Sequence, residues 1–233
     1  MLKLYYSRFS LFARPVWLAL LEKRLEFELI PMQLDGDQFE LEFFARSPFS
    51  QIPVLIDDGF RVIESGAILD YLEAKYPTPA LLPEDAESIA VVRMVQMVAI
   101  NKLLPAIATL LIRTKEPQEM EFAHQQITIV LTLFEELLGN HTYFGGEQVT
   151  LAEIFAGTLV PSLPRLDVSL TPYPKIFDWS ERLAARDTWQ RIHLTPEEFD
   201  TFRRKIKLLP RIWRKRRQQR ASRTFQATTK ASN

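Results

Sequence analysis

Three prolines, Pro77, Pro79 and Pro83, stand within seven residues of the run PTPALLPEDAES (77–88), and the chain reads differently on either side of them. Proline fixes φ and has no amide hydrogen, so this run neither continues a helix nor joins a sheet interior; it is a stiff, extended connector. Before it, short apolar runs alternate with helical spacing. Leu2–Tyr6 (LKLYY), Phe27–Pro31 (FELIP), Pro53–Ile56 and Arg61–Ile63 read as strands, with Asp57-Asp58-Gly59 as a hairpin turn between the last two. Leu11–Lys23, a short Phe39–Ala45 and Ser65–Tyr76 read as helices, and Asp35-Gly36-Asp37 as a turn. The order is βαβ followed by αββα. A helix joins the first two strands, which makes them parallel; a tight turn joins the last two, which makes them antiparallel. A mixed four-stranded sheet with helices on it follows, an α/β unit.

After the prolines every segment reads as helix. Ile89–Arg113 is apolar on more than one face, and Pro105 inside it predicts a kink or break. Glu119–Leu138 stops at Gly139, and Thr150–Leu163 and Tyr173–Arg186 follow. Pro196–Arg220 opens behind Thr195, a good cap. The expected division is 1–78, a linker 79–88, an all-helical part 89–200, and a basic helix and tail 201–233.

Composition narrows the chemistry. The 233 residues include no cysteine, which excludes disulfides, a thiolate zinc site and a cysteine nucleophile. The three histidines, His124, His141 and His193, have no metal-ligand spacing, so no metal is expected. Met94–Ile112 is the most apolar stretch, yet Gln96, Asn101, Lys102 and Pro105 make it a poor membrane span. The N-terminus lacks the basic-apolar-small order of a secretory signal, and the reading is of a cytoplasmic protein. The net charge of zero hides an asymmetry. All 29 acidic residues lie at or before Asp200, against 17 of the 29 basic ones, so residues 1–200 carry −12 and residues 201–233 carry +12.

Three motifs, in this order and at these separations, resemble the cytosolic glutathione S-transferases. SPFSQIPVL (Ser47–Leu55) is similar to the family's Asn-Pro-x-x-x-Val-Pro-x-Leu, and ESGAILDYL (Glu64–Leu72) to its Glu/Gln-Ser helix. TLAEI (Thr150–Ile154) is similar to its capping segment, with Glu153 where Asp is usual. The resemblance spans most of residues 1–190 and implies a thioredoxin-like first domain and a helical second one. It also implies a cis bond before Pro53, tolerable because the next residue is proline. Ile52 would then offer its N–H and C=O to a peptide-like ligand, as an added strand does. Ser65, at a positive helix end, suits a carboxylate, and Glu64 an ammonium group; a γ-glutamyl end carries both charges on one carbon. Gln51 is a further peptide contact and Gln38 a candidate for the glycyl end. In Thr150-Leu-Ala-Glu153 the residues themselves spell a capping box.

A glutathione transferase holds its thiol as a thiolate, which a hydroxyl donor and a helix N-terminus both favour. By resemblance to the Ser-type classes the donor is Ser10, four residues ahead of Arg14. The family often has Pro-Gly before that serine, whereas this chain has Arg8-Phe9. Ser7 is the substitute, and Tyr5 and Tyr6 raise a Tyr-type alternative, although strand aromatics usually pack into the core. Arg8 supplies a charge near sulfur or is solvated. The missing cysteine excludes, by resemblance, the thiol-transfer and dehydroascorbate-reducing classes. The electrophile site would lie between domains, with Phe9, Phe12, Asn101, Leu104, Ala108 and Leu111 as candidate walls. Phe49 matches an aromatic that some classes insert into a partner subunit, so a homodimer is expected.

The activity implied is conjugation of the glutathione thiolate to small hydrophobic electrophiles, a detoxification chemistry, with peroxidase activity as a second outcome and no cofactor beyond glutathione as co-substrate. The alternative is a non-enzymatic module of the same fold that uses the basic tail for a partner. From Arg203 to Arg223 there are 11 basic residues with Ile206, Leu208, Leu209, Ile212 and Trp213 among them. That run suits an anionic membrane surface or a nucleic acid, or is a solvated tail beside an acidic body.

Overall fold

The computed structural model describes residues 1–34, 36–112, 116–209 and 212–214, with Leu41 described in its backbone alone. Four strands, β1 (Leu2–Tyr6), β2 (Phe27–Pro31), β3 (Val54–Asp57) and β4 (Phe60–Ile63), form one sheet in the order β2-β1-β3-β4. β1 runs parallel to β2, with Leu2 opposite Phe27. It runs antiparallel to β3, with Leu2 opposite Asp57, and β3 pairs antiparallel with β4. The turn at Asp58-Gly59 has φ of 47° and 88°, which glycine adopts without strain.

Helix α1 (Ala13–Glu22) crosses from β1 to β2 and is buried from Ala13 to Leu21. It packs against α3 (Ser65–Lys75) and against the helical part, so it is buried on nearly every side. The expected short helix at 39–45 is a 3₁₀ turn, Asp37–Phe39, and then α2 (Leu41–Arg46). Lys23, only 2% exposed, ties this unit to the proline run. Its Nζ pairs with Glu73 at 2.6 Å and donates to the carbonyls of Tyr76 and Pro79 at 2.8 and 2.9 Å. Three acceptors satisfy its three hydrogens, which is the condition for a buried ammonium.

The helical part starts earlier than the apolar pattern suggests. α4 covers Ala86–Val98, because the Asp85 carboxylate accepts from Ser88 N–H at 2.8 Å and caps it. The break expected at Pro105 falls one turn upstream, as a π turn at Ala99–Leu103, before α5 (Leu104–Ile112). Proline cannot donate to the carbonyl four residues back, and the turn before it takes up the mismatch. By length and composition Ala86–Ile112 is apolar enough to cross a membrane; half of it is buried inside this fold, where it forms the middle of the helical part.

α6 (Pro117–Leu138) follows, then α7 (Leu151–Leu159), which passes into a 3₁₀ stretch at Val160–Leu166 where Pro161 and Pro164 interrupt the α pattern. The helix read as 173–186 is α8 (Pro174–Ala184), and a separate α9 (Asp187–Ile192) comes after it. A Cβ on Gly157 of α7 would sit 2.5 Å from Leu183 and 3.2 Å from the Trp189 ring, so glycine lets α8 and α9 close on α7. α10 (Pro196–Ile206) ends in a turn at Lys207–Leu208, inside the run read to Arg220, and helical residues follow again at Leu209 and at 212–214. The basic stretch beyond Arg214 lies outside the described residues.

Candidate active site

One cleft of about 460 Å³ opens where the C-terminal edge of β1, the β3 entry loop and the start of α3 face α5 and α10. Ser10 stands on its floor. The loop Ser7–Phe12 turns β1 into α1, and Ser10 N–H donates to Ser7 C=O at 2.9 Å. Ser10 Oγ accepts from Ala13 N–H, the first residue of α1, at 3.1 Å. One lone pair of the hydroxyl is therefore held by the helix end, and its hydrogen is left to donate into the cleft. Ser7, Tyr5 and Tyr6 are not among the cleft's lining residues. Tyr6 meets Trp17 edge-on at 5.3 Å, and Tyr5 packs on Phe43.

Arg8 does not line the cleft, and although about a third exposed it is held by protein acceptors. It donates to Glu198 at 2.8 and 3.3 Å and to the carbonyls of Arg191 and His193 at 3.2 and 2.7 Å, and it sits over Trp17. Arg14, 6% exposed, lies behind Ser10 in α1. Burial, and then the neighbouring Arg8 charge, bring its guanidinium down to about 10, so it stays charged at neutral pH.

The opposite wall is the β3 entry loop. Ser47 Oγ donates to Gln51 C=O at 2.8 Å and accepts its N–H at 3.0 Å, which fixes the approach to a cis Ile52–Pro53 bond. Among the described residues neither the N–H nor the C=O of Ile52 has an internal partner, as a strand-like ligand requires. Glu64 has φ of 67°, is exposed and precedes Ser65, the buried first residue of α3. Gln38 is 3% exposed; its Nε2 donates to Leu34 C=O at 2.9 Å, and its Oε1 is buried without a partner. A buried acceptor with no donor costs about 1–3 kcal/mol, so a bound N–H has a place there.

The cleft thus gathers Ser10, Gln38, Gln51, Ile52, Pro53, Glu64 and Ser65, together with Phe9, Phe12, Leu104 and Ala108 of the proposed electrophile walls. Asn101 is exposed and does not line it; Leu111 is buried and lines a separate small void instead. Sequence reasoning missed the outer wall. Phe202, Ile206, Leu209 and Trp213 face the cleft from α10 and the segment after it. Phe202 stacks on Phe9 with centroids 5.8 Å apart and planes 2° apart, and Trp213 Nε1 donates to the same Leu34 carbonyl at 2.7 Å. Their spacing of four, three and four is a single helix face, a signal present in the sequence but set inside a run dominated by charge.

The chain matches the family model for the glutathione S-transferase N-terminal domain over residues 4–80 and that for the C-terminal domain over residues 96–187. It is 32% identical over 184 residues to a maleylacetoacetate isomerase of Mus musculus, covering 76% of this chain and 85% of that one. It is equally identical to glutathione S-transferase Z1 of Arabidopsis thaliana, over 75% of this chain and 83% of the relative. Among solved structures, a housefly (Musca domestica) epsilon-class glutathione S-transferase superposes with a TM-score of 0.76 at 25% identity, over 90% of this chain and 98% of that one. A bacterial zeta-class maleyl pyruvate isomerase gives 0.73 at 27%, over 84% and 99%. The fold and its cleft are those of a thioredoxin-like domain joined to a helical one. The chain belongs to the glutathione S-transferase family.

Proposed function

We propose that this chain is a Ser-type transferase that adds the glutathione thiolate to small apolar electrophiles. The observation that carries the reading is the Ser10 hydroxyl, which lines the cleft and accepts from Ala13 N–H at the start of α1, so that its own hydrogen remains available to donate. A thiol placed there loses its proton to solvent more readily, because the hydroxyl donates to the sulfur anion and the helix end adds positive potential. The tripeptide lies along the β3 entry loop: its cysteinyl unit pairs with Ile52, its γ-glutamyl end meets Glu64 and Ser65, and its glycyl end reaches Gln38. Gln51 borders the backbone. Nothing then touches the electrophile but apolar walls, so a ready thiolate and proximity supply the rate.

The names of the relatives favour a second reading, glutathione-dependent cis–trans isomerisation of a maleyl compound. There the same thiolate would add to a conjugated double bond, the bond would rotate, and the thiolate would leave unchanged. Both readings use Ser10, and both predict a homodimer around exposed Phe49. The reading as a binding module has less support: Ser10, Gln51, Ile52, Glu64 and Ser65 line one cleft, an arrangement that a module acting through its tail would not need.

The test is the ultraviolet absorbance of bound thiolate, titrated against pH in wild type and Ser10→Ala. In wild type the bound thiol should ionise about two pH units below free glutathione, and in Ser10→Ala it should move back by at least about one unit. Conjugation of chlorodinitrobenzene should fall about 10- to 100-fold with it. Equal ionisation in the two proteins would remove Ser10 from the mechanism.

A further inference from the structure

Among the described residues, the electrophile half of the cleft is lined by side chains that carry no charge. Among the described lining residues the single ionisable one is Glu64, at the glutathione end. Cationic groups are nevertheless close. A second void, of about 20 Å³, is lined by Arg14, Arg165 and His193, and it shares two residues with the cleft, Leu11 and Phe202. No described residue lining that void is acidic. Arg14 Nε is buried without a partner. Arg165 spends one donor on Leu194 C=O at 2.9 Å and lies over the Phe199 ring. The hydroxyls of Thr158 and Ser162 donate back to Phe155 and Leu159 carbonyls and have no hydrogen left for a guest.

We propose that Phe202 sets the class of electrophile, by closing an apolar chamber off from the Arg14–Arg165–His193 void, so that uncharged apolar electrophiles are accepted and carboxylate-bearing ones refused. The proposal rests on the transferase reading of the cleft and deepens it. Phe202 is 3% exposed; one side of its ring is stacked on Phe9, and Phe9 is pinned by its neighbour Arg8. A carboxylate entering the chamber would lose its water and meet no cation among the described lining residues, because Lys205 spends its charge on the Phe9 ring, 5.9 Å from its centroid, and does not line the cleft. The buried positive charge that could repay it lies behind the Phe202 ring. Trp213 closes the outer end of the same chamber through Leu34 but borders no part of the void. The two residues therefore have separable effects: Trp213 acts on how well any apolar group is enclosed, Phe202 on whether charge is tolerated.

The experiment is calorimetric titration with glutathione and two conjugates of one shape, S-(para-nitrobenzyl)glutathione and S-(para-carboxybenzyl)glutathione. Wild type should bind the nitro conjugate at least about tenfold tighter than the carboxy one. Phe202→Ala should narrow that ratio about tenfold as the carboxylate reaches the guanidinium groups, and Arg165→Met added to it should restore the wild-type ratio. Trp213→Ala should weaken the nitro conjugate and leave the ratio unchanged. Equal binding of the two conjugates by wild type, or parallel losses in Phe202→Ala, would overturn the proposal while the transferase reading stood. No binding of glutathione itself would overturn that reading and this inference with it. If Phe202→Ala does not fold, Phe202→Leu replaces it with the same direction expected, and the wild-type ratio decides by itself whether charge is refused.

Discussion

Arg8 Nε donates to Glu198 Oε1 at 2.8 Å, a bond between residues 190 positions apart in sequence. The Glu198 carboxylate also closes the cap of α10, accepting Thr195 N–H at 2.9 Å, while Thr195 Oγ1 accepts Glu198 N–H at 3.2 Å. Burial alone would raise the Glu198 carboxyl; the Thr195 N–H and Arg8 outweigh it and hold it below its ordinary value. One carboxylate therefore joins the loop that carries Ser10 to the helix that carries Phe202.

Arg8→Ala and Glu198→Ala should consequently have the same phenotype. Each frees α10 from the Ser10 loop, so each should lower kcat/KM for an apolar electrophile about five- to tenfold while KM for glutathione changes less than twofold. The double variant should be no worse than either single one, since both remove one link. The pair is about a third exposed, at 31% and 33%, so folding stability should fall by less than ~1 kcal/mol in urea. Additive losses in kcat/KM would mean that the two residues act separately.

The glutathione side predicts the opposite kinetic split. In the proposed binding pose Glu64 and Ser65 meet a part of the substrate that does not change during reaction, so they would bind ground state and transition state alike. Glu64→Gln and Ser65→Ala should each raise KM for glutathione about tenfold, with kcat at saturating glutathione within about twofold of wild type. A loss confined to kcat would place the γ-glutamyl end elsewhere.

Asp57, at the end of β3, makes the sheet's stability depend on acid. Its Oδ2 accepts from Lys75 Nζ at 2.6 Å and from the Tyr76 and Tyr71 hydroxyls at 2.7 and 2.9 Å. Burial pushes the carboxyl up, but these three donors outweigh it and bring it below its ordinary value of 3.8. A carboxyl depressed on folding stabilises fully above its unfolded value and loses that contribution as pH falls through the folded one. Asp57→Asn should lower the urea midpoint at neutral pH, and the gap from wild type should close well below pH 3.8. A gap unchanged by acid would assign the Asn effect to packing instead of charge.

How much of this was legible depends on how local the cause is. The strand Phe27–Pro31 was readable to the residue, because Phe27, Leu29 and Ile30 are apolar around a single Glu28 and Pro31 closes the run. The cis bond at Ile52–Pro53 and the helix start at Ser65 were readable through the family resemblance of the motifs that hold them. The start of α9 was not: Ala185-Arg186-Asp187 keeps helical composition, and the chain turns there because Glu22 takes Arg186 at 2.7 Å along with the Thr188 hydroxyl. The role of Phe202 and Trp213 was hidden for a related reason. Charge dominates residues 201–214, and which side of an amphipathic helix meets a ligand is settled by partners more than a hundred residues away, such as Leu34 and Phe9. Arg8 was legible as a departure from the family pattern but not as a clamp, since its acceptors come from the far end of the chain.

Glu153 shows the same capping motif doing structural work in the core. It is fully buried at the third position of α7, and its Oε2 accepts Thr150 N–H at 2.9 Å and the Thr150 hydroxyl at 2.6 Å. Thr150 Oγ1 in turn accepts Ala152 N–H at 3.2 Å. Glu153 Oε1 reaches outside the box, to Phe144 N–H at 2.9 Å and Trp179 Nε1 at 3.2 Å, so one carboxyl joins α7, the loop before it and α8. Burial pushes it above the ordinary carboxylate range, and these four bonds pull it part of the way back. Removing the acceptor leaves three buried N–H groups without partners, each costing about 1 kcal/mol or more. Glu153→Ala should therefore destabilise folding by at least ~3 kcal/mol in urea. Glu153→Gln keeps one acceptor and turns an NH₂ toward donors, so it should fall between wild type and Ala. Because Ser10 and Glu64 lie on other elements, both variants should retain wild-type KM for glutathione at temperatures where they remain folded; a raised KM in the folded Gln variant would show that the α7 cap reaches the site.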